Sequence, residues 1–327
     1  MIEFYRPEGG YIETAANREA LASLSGLERA MQEGRVIEGR ATLCDEHMRL
    51  HVDLGCAQGI IEPEEAVWCR AGEERKDIAV ISRVGKPVAC KILGIDLKNG
   101  TPCVRLSRRL AQKECIEAYV SGLCEGDILQ ARVTHMEPFG AFLDVGCGVV
   151  SLLSVDCISV SRISHPRDRL RVGESLPVAV KCIQRDTQRI YVTLRELLGT
   201  WEENASFFEA GQTVTGVLRS VESYGVFVEL APNLAGLAEV RPEVAEELRG
   251  RIGHNVAVYI KSIVPERMKI KLVLINADGA ASSAVPLRLF VDPAATPHLD
   301  RWRYSPAECR RIVETCFGGR GVGEEPF

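Results

Sequence analysis

The chain repeats itself, and that repeat limits what it can fold into. Residues 126–144 read GDILQARVTHMEPFGAFLD and residues 211–229 read GQTVTGVLRSVESYGVFVE. They align without a gap at an offset of 85, which sets Gly126 on Gly211, Phe139 on Tyr224, Gly140 on Gly225, Phe142 on Phe227 and Asp144 on Glu229. The second half of each unit, 173–194 and 253–274, recurs at an offset of 80. There Gly173 falls on Gly253, Lys181 on Lys261, Asp186 on Glu266 and Arg189 on Lys269. A weaker copy lies upstream in 35–55 and 84–109, with Met48 and His51 at the two ring positions. A fixed period means one supersecondary unit used several times, so the fold of the chain reduces to the fold of one unit.

That unit reads as β-structure. Leu129, Ala131 and Val133 alternate with Gln130, Arg132 and Thr134 at period two, the spacing of a half-buried strand. AFLDV, VFVEL, VAVKCI and IYVTL are short runs rich in β-branched and aromatic residues. Five short strands in about 70 residues, punctuated by glycine, fit a small closed barrel whose closure removes sheet edges. The expected fold is mainly β: three tandem five-stranded antiparallel OB-type barrels with helical linkers and a short α/β C-terminal tail. The expected divisions are a helical extension over 1–32, barrels over 33–108, 123–196 and 209–276, connectors over 109–122 and 197–208, and a linker with tail over 277–327. Residues 13–33 carry an amphipathic helical pattern, and 108–123 a helix with Leu110, Cys115, Ile116, Tyr119 and Val120 near one face. Ser305-Pro306-Ala307-Glu308 has the chemistry of a helix start: a capping serine, proline at the first helical position and an acid three residues on.

Composition narrows the function. The chain of 327 residues has 40 Lys and Arg against 45 Asp and Glu, a net charge of −5. A mildly acidic chain repels bare phosphate at long range, so any nucleic-acid site must rest on local features in which stacking carries much of the affinity. The twelve cysteines form no CxxC pair, which excludes the usual zinc spacing, and they sit singly among apolar neighbours as reduced thiols do. Reduced thiols point to a cytoplasmic chain. The first residues lack the basic start and apolar core of a secretory leader, and no run of 18 apolar residues would span a membrane. GxxxxGK[ST], GxSxG, HExxH and GxGxxG are all absent, the six histidines lack ligand spacing, and the expectation is a non-enzyme without cofactor or metal.

The residues that remain suit binding. Phe139 and Phe142 flank Gly-Ala, and Tyr224 and Phe227 flank Gly-Val. Rings three apart across a glycine either enter the core or lie on an open barrel face, where they stack on unpaired bases. Arg189 and Lys269 share one repeat position, three residues after Asp186 and Glu266, and Lys181 and Lys261 share another. Such cations either contact phosphate or sit in solvated turns. His165 lies in SRISHPRDRLR, the densest basic stretch, which either tracks a backbone or forms a solvated loop. His298, Arg301, Trp302, Arg303 and Tyr304 interleave cations and rings in the tail, to stack on bases or, the favoured reading, to dock on the third barrel.

Gly126-Asp127, then Phe139-Gly140-Ala141-Phe142 with Asp144-Val145, then Gly173, Asp186 and Ile-Tyr-Val-Thr-Leu together resemble the S1 RNA-binding motif. The resemblance is good in the second copy, good in the first half of the third, and degenerate in the first. As a whole the chain is similar to short bacterial ribosomal protein S1-like proteins. The resemblance implies an RNA face of two aromatics, a histidine on the next strand, and an acid and a base in the last turn. Phe139, Phe142, Asp186 and Arg189 match in the second copy; Ser151 is read at the histidine's place. Tyr224, Phe227 and Lys269 match in the third copy, with Glu239 near the histidine's place. The implied partners are single-stranded RNA or mRNA and the 30S subunit, engaged by a monomer, while a first barrel without rings would hold a protein partner. The other reading is a protein-interaction scaffold whose barrels have lost RNA affinity.

Overall fold

A computed structural model describes residues 5–69, 72, 74–98, 101–184, 187, 189–282 and 287–318. Two short helices open it, α1 (Ala15–Leu21) and α2 (Leu24–Gln32), where the sequence pattern suggests one. The break has a local cause. Ser23 caps α2 by accepting from the Gly26 N–H, and a Cβ on Gly26 would stand 2.7 Å from the Ala20 carbonyl oxygen. Only glycine lets the second helix start that close to the end of the first. Ala20, Leu27 and Ala30 then bury against the first barrel.

That barrel is built from β1 (Ile37–Cys44), β2 (Leu50–Asp53), β3 (Gln58–Ile61), β4 (Pro87–Lys98) and β5 (Thr101–Ser107), with the short helix α3 (Asp77–Ile81) between β3 and β4. After the linker helix α4 (Arg108–Ala118) comes the second: β6 (Ile128–Glu137), β7 (Gly140–Asp144), β8 (Val150–Ser154), β9 (Ser175–Gln184) and β10 (Arg189–Thr193). A short helix α5 (Trp201–Ala205), closed by a Thr200–Glu203 capping box, leads into the third. Its strands are β11 (Thr213–Glu222), β12 (Gly225–Ala231), β13 (Leu234–Ala238), β14 (Asn255–Val264) and β15 (Lys269–Asn276), with α6 (Pro242–Leu248) between β13 and β14. Each set closes on itself in the order 1-2-3-5-4, the arrangement expected of an OB barrel. Four of the five pairings in each barrel are antiparallel; the third strand pairs in parallel with the fifth, as closure of five strands in this order requires. The first strand of every barrel carries a bulge against the second, at Ala41/Leu43, Val133/His135 and Leu218/Ser220. A bulge at the same place three times bends each first strand around its own core. Leu50, Leu153 and Val258 are fully buried in the three cores, where truncating such a leucine to alanine costs about 2–5 kcal/mol.

The barrels do not hang as beads. The α4 face that packs is Arg108, Ala111, Gln112 and Cys115, one step around from the face the apolar pattern suggests, and Leu110 stays half-exposed. The shift follows from what the helix must satisfy. Arg108 makes a two-point ion pair with Glu8 (Nε–Oε1 2.6 Å, Nη2–Oε2 3.0 Å) and Arg83 adds a third contact at 3.2 Å. The Glu8 N–H donates to Asp144 Oδ2 at 2.6 Å, while the Gly146 and Gly148 N–H groups donate to Asp144 Oδ1. Gln112 donates to the Gly148 carbonyl. Segment 5–12, barrel one, α4 and barrel two are thus tied by one buried polar cluster. Burial pushes the Asp144 carboxyl up to about 7, and the negative charge of Glu8 adds to that. The acid at the same repeat position does the equivalent work at the next joint: buried Glu229 pairs with Arg169 of barrel two and, at 2.8 Å, with Arg219.

The tail overturns one expectation. Residues 305–318 hold no helix; β16 (Arg301–Arg303) and β17 (Glu314–Cys316) form a hairpin instead. Ser305 does cap, but its oxygen accepts from the returning Val313 N–H at 3.1 Å rather than from a helical turn. The hairpin satisfies more apolar surface than a helix would. Trp302 and Tyr304 bury in the third core and Phe317 in the second, with Tyr304 donating to the Asn233 carbonyl at 2.7 Å. His298 Nδ1 meets Asp127 at 2.7 Å. The tail aromatics dock, as favoured, and they pin two barrels rather than one. All twelve cysteines carry free thiols. No helix among the described residues is long and apolar enough to cross a membrane.

Candidate nucleic-acid interface

In barrel two the chain turns at Pro138-Phe139 between β6 and β7. Phe139 sits on that turn, 56% exposed, and Phe142 follows on the outer face of β7. Their centroids lie 5.9 Å apart with planes at 89°. An edge-to-face pair of this kind leaves one ring face open. Barrel three repeats it: Tyr224 is 60% exposed, and its ring meets Phe227 edge to face at 6.2 Å and 88°. The repeated rings are therefore surface platforms, not core.

Strand register extends the platform across the barrel. His135 pairs with Phe142, Phe142 with Leu152, and Leu152 with Tyr191, so these four side chains form one row over β6, β7, β8 and β10. The His135 ring stacks on Phe142 at 6.1 Å and 20°, and its Nε2 is 2.6 Å from Glu137. A hollow of about 360 Å³ opens beside Phe142, floored by Leu152 and Tyr191 and bounded by Arg189, which is exposed at the start of β10. Arg189 and Tyr191 are two apart on one strand and so share a face. Sequence reading missed His135 and Tyr191. The repeat hid them, because their positions hold Ser220 and Lys271 in the third copy. The period-two pattern of β6 also slips at its bulge, which turns His135 onto the ring face.

Other expected residues fall into place unevenly. Asp186 lies outside the described residues. Ser151 is not on the ring face: it is buried and its hydroxyl donates to the Leu143 carbonyl. Alternation along β8 turns Leu152 outward instead, and Ser154, paired with Gly140 beside Phe139, is the repeat equivalent of Glu239. Lys181 turns from the hollow to Cys157, donating to its sulfur at 3.0 Å; that bond raises the Lys181 pKa. Lys261 and Lys269 are exposed on β14 and β15, and Lys271 stands in the row opposite Leu237, itself paired with Phe227. His165 caps a turn, accepting from the Arg167 N–H at 3.1 Å. The basic stretch around it splits: Arg162, Arg167 and Arg171 stay exposed while Arg169 is spent in the joint with Glu229. In barrel one His51 occupies the Phe142 position and is bound to Asp45 at 3.1 Å, leaving no ring platform. Among the described residues no His, Cys, Asp and Glu group is placed to hold a metal.

This geometry meets known proteins at two levels. Residues 123–195, the second barrel, match the family described as S1 RNA binding domain. Over 301 residues, 87% of this chain and 73% of the relative, the sequence is 28% identical to small ribosomal subunit protein bS1 of Staphylococcus aureus (strain COL). It is 33% identical over 240 residues to the small ribosomal subunit protein bS1 homolog of Bacillus cereus, covering 70% of this chain and 60% of that one. The bS1 protein of Pseudomonas aeruginosa is 28% identical over 80% of this chain and 46% of its own length. The matched family is a binding domain and the matched relatives are ribosomal proteins, not enzymes. The second of the three OB barrels thus carries an S1 RNA-binding domain, and the chain is similar to bS1 proteins over most of its length.

Proposed function

We propose that this chain binds single-stranded RNA on the ring faces of barrels two and three and acts in translation, on mRNA or the small ribosomal subunit, as a cytoplasmic monomer without a cofactor. One observation carries the reading: two barrels present the same edge-to-face pair with the outer ring more than half exposed. Stacking on such rings contributes about 1–3 kcal/mol per base and tolerates any base. Phe139, Phe142, His135 and Tyr191 supply the platform in barrel two, and Tyr224 and Phe227 in barrel three. Arg189, Lys269 and Lys271 stand beside the rings as phosphate contacts; Asp186 is assigned to hold Arg189. Lys181, Lys261 and His165 are assigned contacts with a longer strand.

The test is fluorescence anisotropy with labelled single-stranded RNA at two salt concentrations. The Phe139→Ala/Tyr224→Ala pair should weaken binding at least tenfold, from the loss of about 1–3 kcal/mol at each ring. Unchanged affinity in that pair would refute the ring-face reading, and no binding by the intact chain at low salt would refute RNA binding altogether. Barrel one is assigned a different role, a protein contact, because His51 replaces the ring while Leu43, Ile78 and Ile81 are exposed on the same barrel.

A further inference from the structure

Barrels one and two meet over a cleft of about 180 Å³ whose lining includes none of the expected RNA-contacting rings and cations. Its walls hold Arg83 and Lys86 from barrel one and Arg132 and Thr134 from β6, with Glu8 and Asp144 at the back. The two acids are already satisfied. Glu8 takes Arg108, Arg83 and the Ala89 N–H, and Asp144 takes three backbone N–H groups. The cations at the mouth are not. Among the described residues neither Lys86 nor Arg132 has a carboxylate within ion-pair distance. Arg132 lies across the N-terminal segment and is held there by shape: a Cβ on Gly9 would fall 2.3 Å from its Nη1. Cations brought together from two barrels repel one another, and with Glu8 and Asp144 already engaged by other donors, Lys86 and Arg132 suit an external anion.

The cleft also continues the ring face. Arg132 is three residues before His135 on β6, roughly 10 Å along the strand. Thr134 lines the cleft while its hydroxyl donates to the carbonyl of Phe142, so one residue joins the two sites. Resting on the RNA-binding reading, we infer that this inter-barrel cleft is a phosphodiester site, which takes the backbone of the strand whose bases stack on Phe139 and Phe142. The first barrel then contributes to binding through Arg83 and Lys86, not through a ring face. The next joint differs: the repeat equivalent of Arg132 there is Val217, and its arginines, Arg169 and Arg219, are paired with Glu229 and Asp168.

The experiment compares two labelled oligouridylates, of about five and about 20 nucleotides, on the full chain. The variants are Lys86→Gln/Arg132→Gln, the exposed single change Lys86→Glu, and Phe139→Ala. The cleft variants should weaken the long oligomer about tenfold and lower its salt slope by about one, with the short oligomer unaffected. Phe139→Ala should weaken both lengths. If the long oligomer keeps its affinity and salt slope in both cleft variants while Phe139→Ala still weakens it, RNA binding stands and the cleft proposal falls. If the intact chain binds neither oligomer, both fall. Pyrophosphate forms the last arm: binding that the cleft variants abolish, with the long oligomer unaffected, would assign the cleft to a free phosphate compound and overturn a backbone site.

Discussion

At the residue scale the most informative pair is Asp144 and Glu229. They occupy one repeat position and both are buried, yet neither faces the ring platform. Each closes a joint between barrels. Asp144 gives this a pH signature. An aspartate in a free chain titrates near 3.8, whereas folding raises Asp144 to about 7, so between those values the folded state holds the extra proton. Stability from this group is full below about pH 4 and is lost as pH rises through 7. Asp144→Asn stays neutral at every pH. It is less stable than the parent, because its amide meets the Glu8 N–H donor, but the difference in urea midpoint should narrow between about pH 5 and 8. A difference that stays constant or widens would contradict the assignment. The rings Phe139 and Tyr224 were legible because two copies kept them. His135 and Tyr191 were not, because each is present in one copy and only register places them beside Phe142.

At the scale of elements, short segments answer to what they pack against. The start signal at Ser305-Pro306 is real chemistry, and the Ser305 hydroxyl does cap a backbone N–H. A helix from there would carry Phe317 away from the second core and leave Trp302 and Tyr304 without a returning strand. Burying three aromatics, each covering roughly 150–250 Å², outweighs a capping box worth about 1 kcal/mol. Trp302→Ala should therefore cost about 3–5 kcal/mol and lower the calorimetric midpoint of the barrel-three transition, whereas Ile312→Ala, at an exposed site, should change it little. The joint between barrels two and three gives a parallel expectation. Glu229→Ala leaves Arg169 buried and unpaired, and should destabilise by about 3–5 kcal/mol in urea unfolding, against under 1 kcal/mol for exposed Glu246→Ala.

For the whole molecule, a net charge of −5 and an RNA site are compatible because the charges are sorted. The acids Glu8, Asp144 and Glu229 are consumed at joints and Glu137 is held by His135, while Arg189, Lys269, Lys86 and Arg132 form no ion pair among the described residues and stand on the ring side or in the cleft. Little long-range attraction is left for an uninterrupted duplex, whose bases are already stacked. Binding to double-stranded RNA should be at least tenfold weaker than to a single strand of the same length, measured by competition at moderate salt. Equal affinity for the two would mean that charge rather than stacking governs the interaction.

The sequence alone determined the number of units, their β character and the two ring pairs, since periodicity and duplication are local and survive any arrangement of the units. It also carried the acid at each joint and the cations near the last turn, without saying what they serve. Tertiary structure decided which side of each barrel the polar residues face, because a bulge in each first strand shifts the period-two pattern in a way that no spacing rule reports. It decided too that the units are joined, by a buried ion cluster at one joint and a tail hairpin at the other. Those contacts run between residues far apart in the chain, from 71 positions for Tyr304 with Asn233 to 136 for Glu8 with Asp144, and no local pattern encodes them.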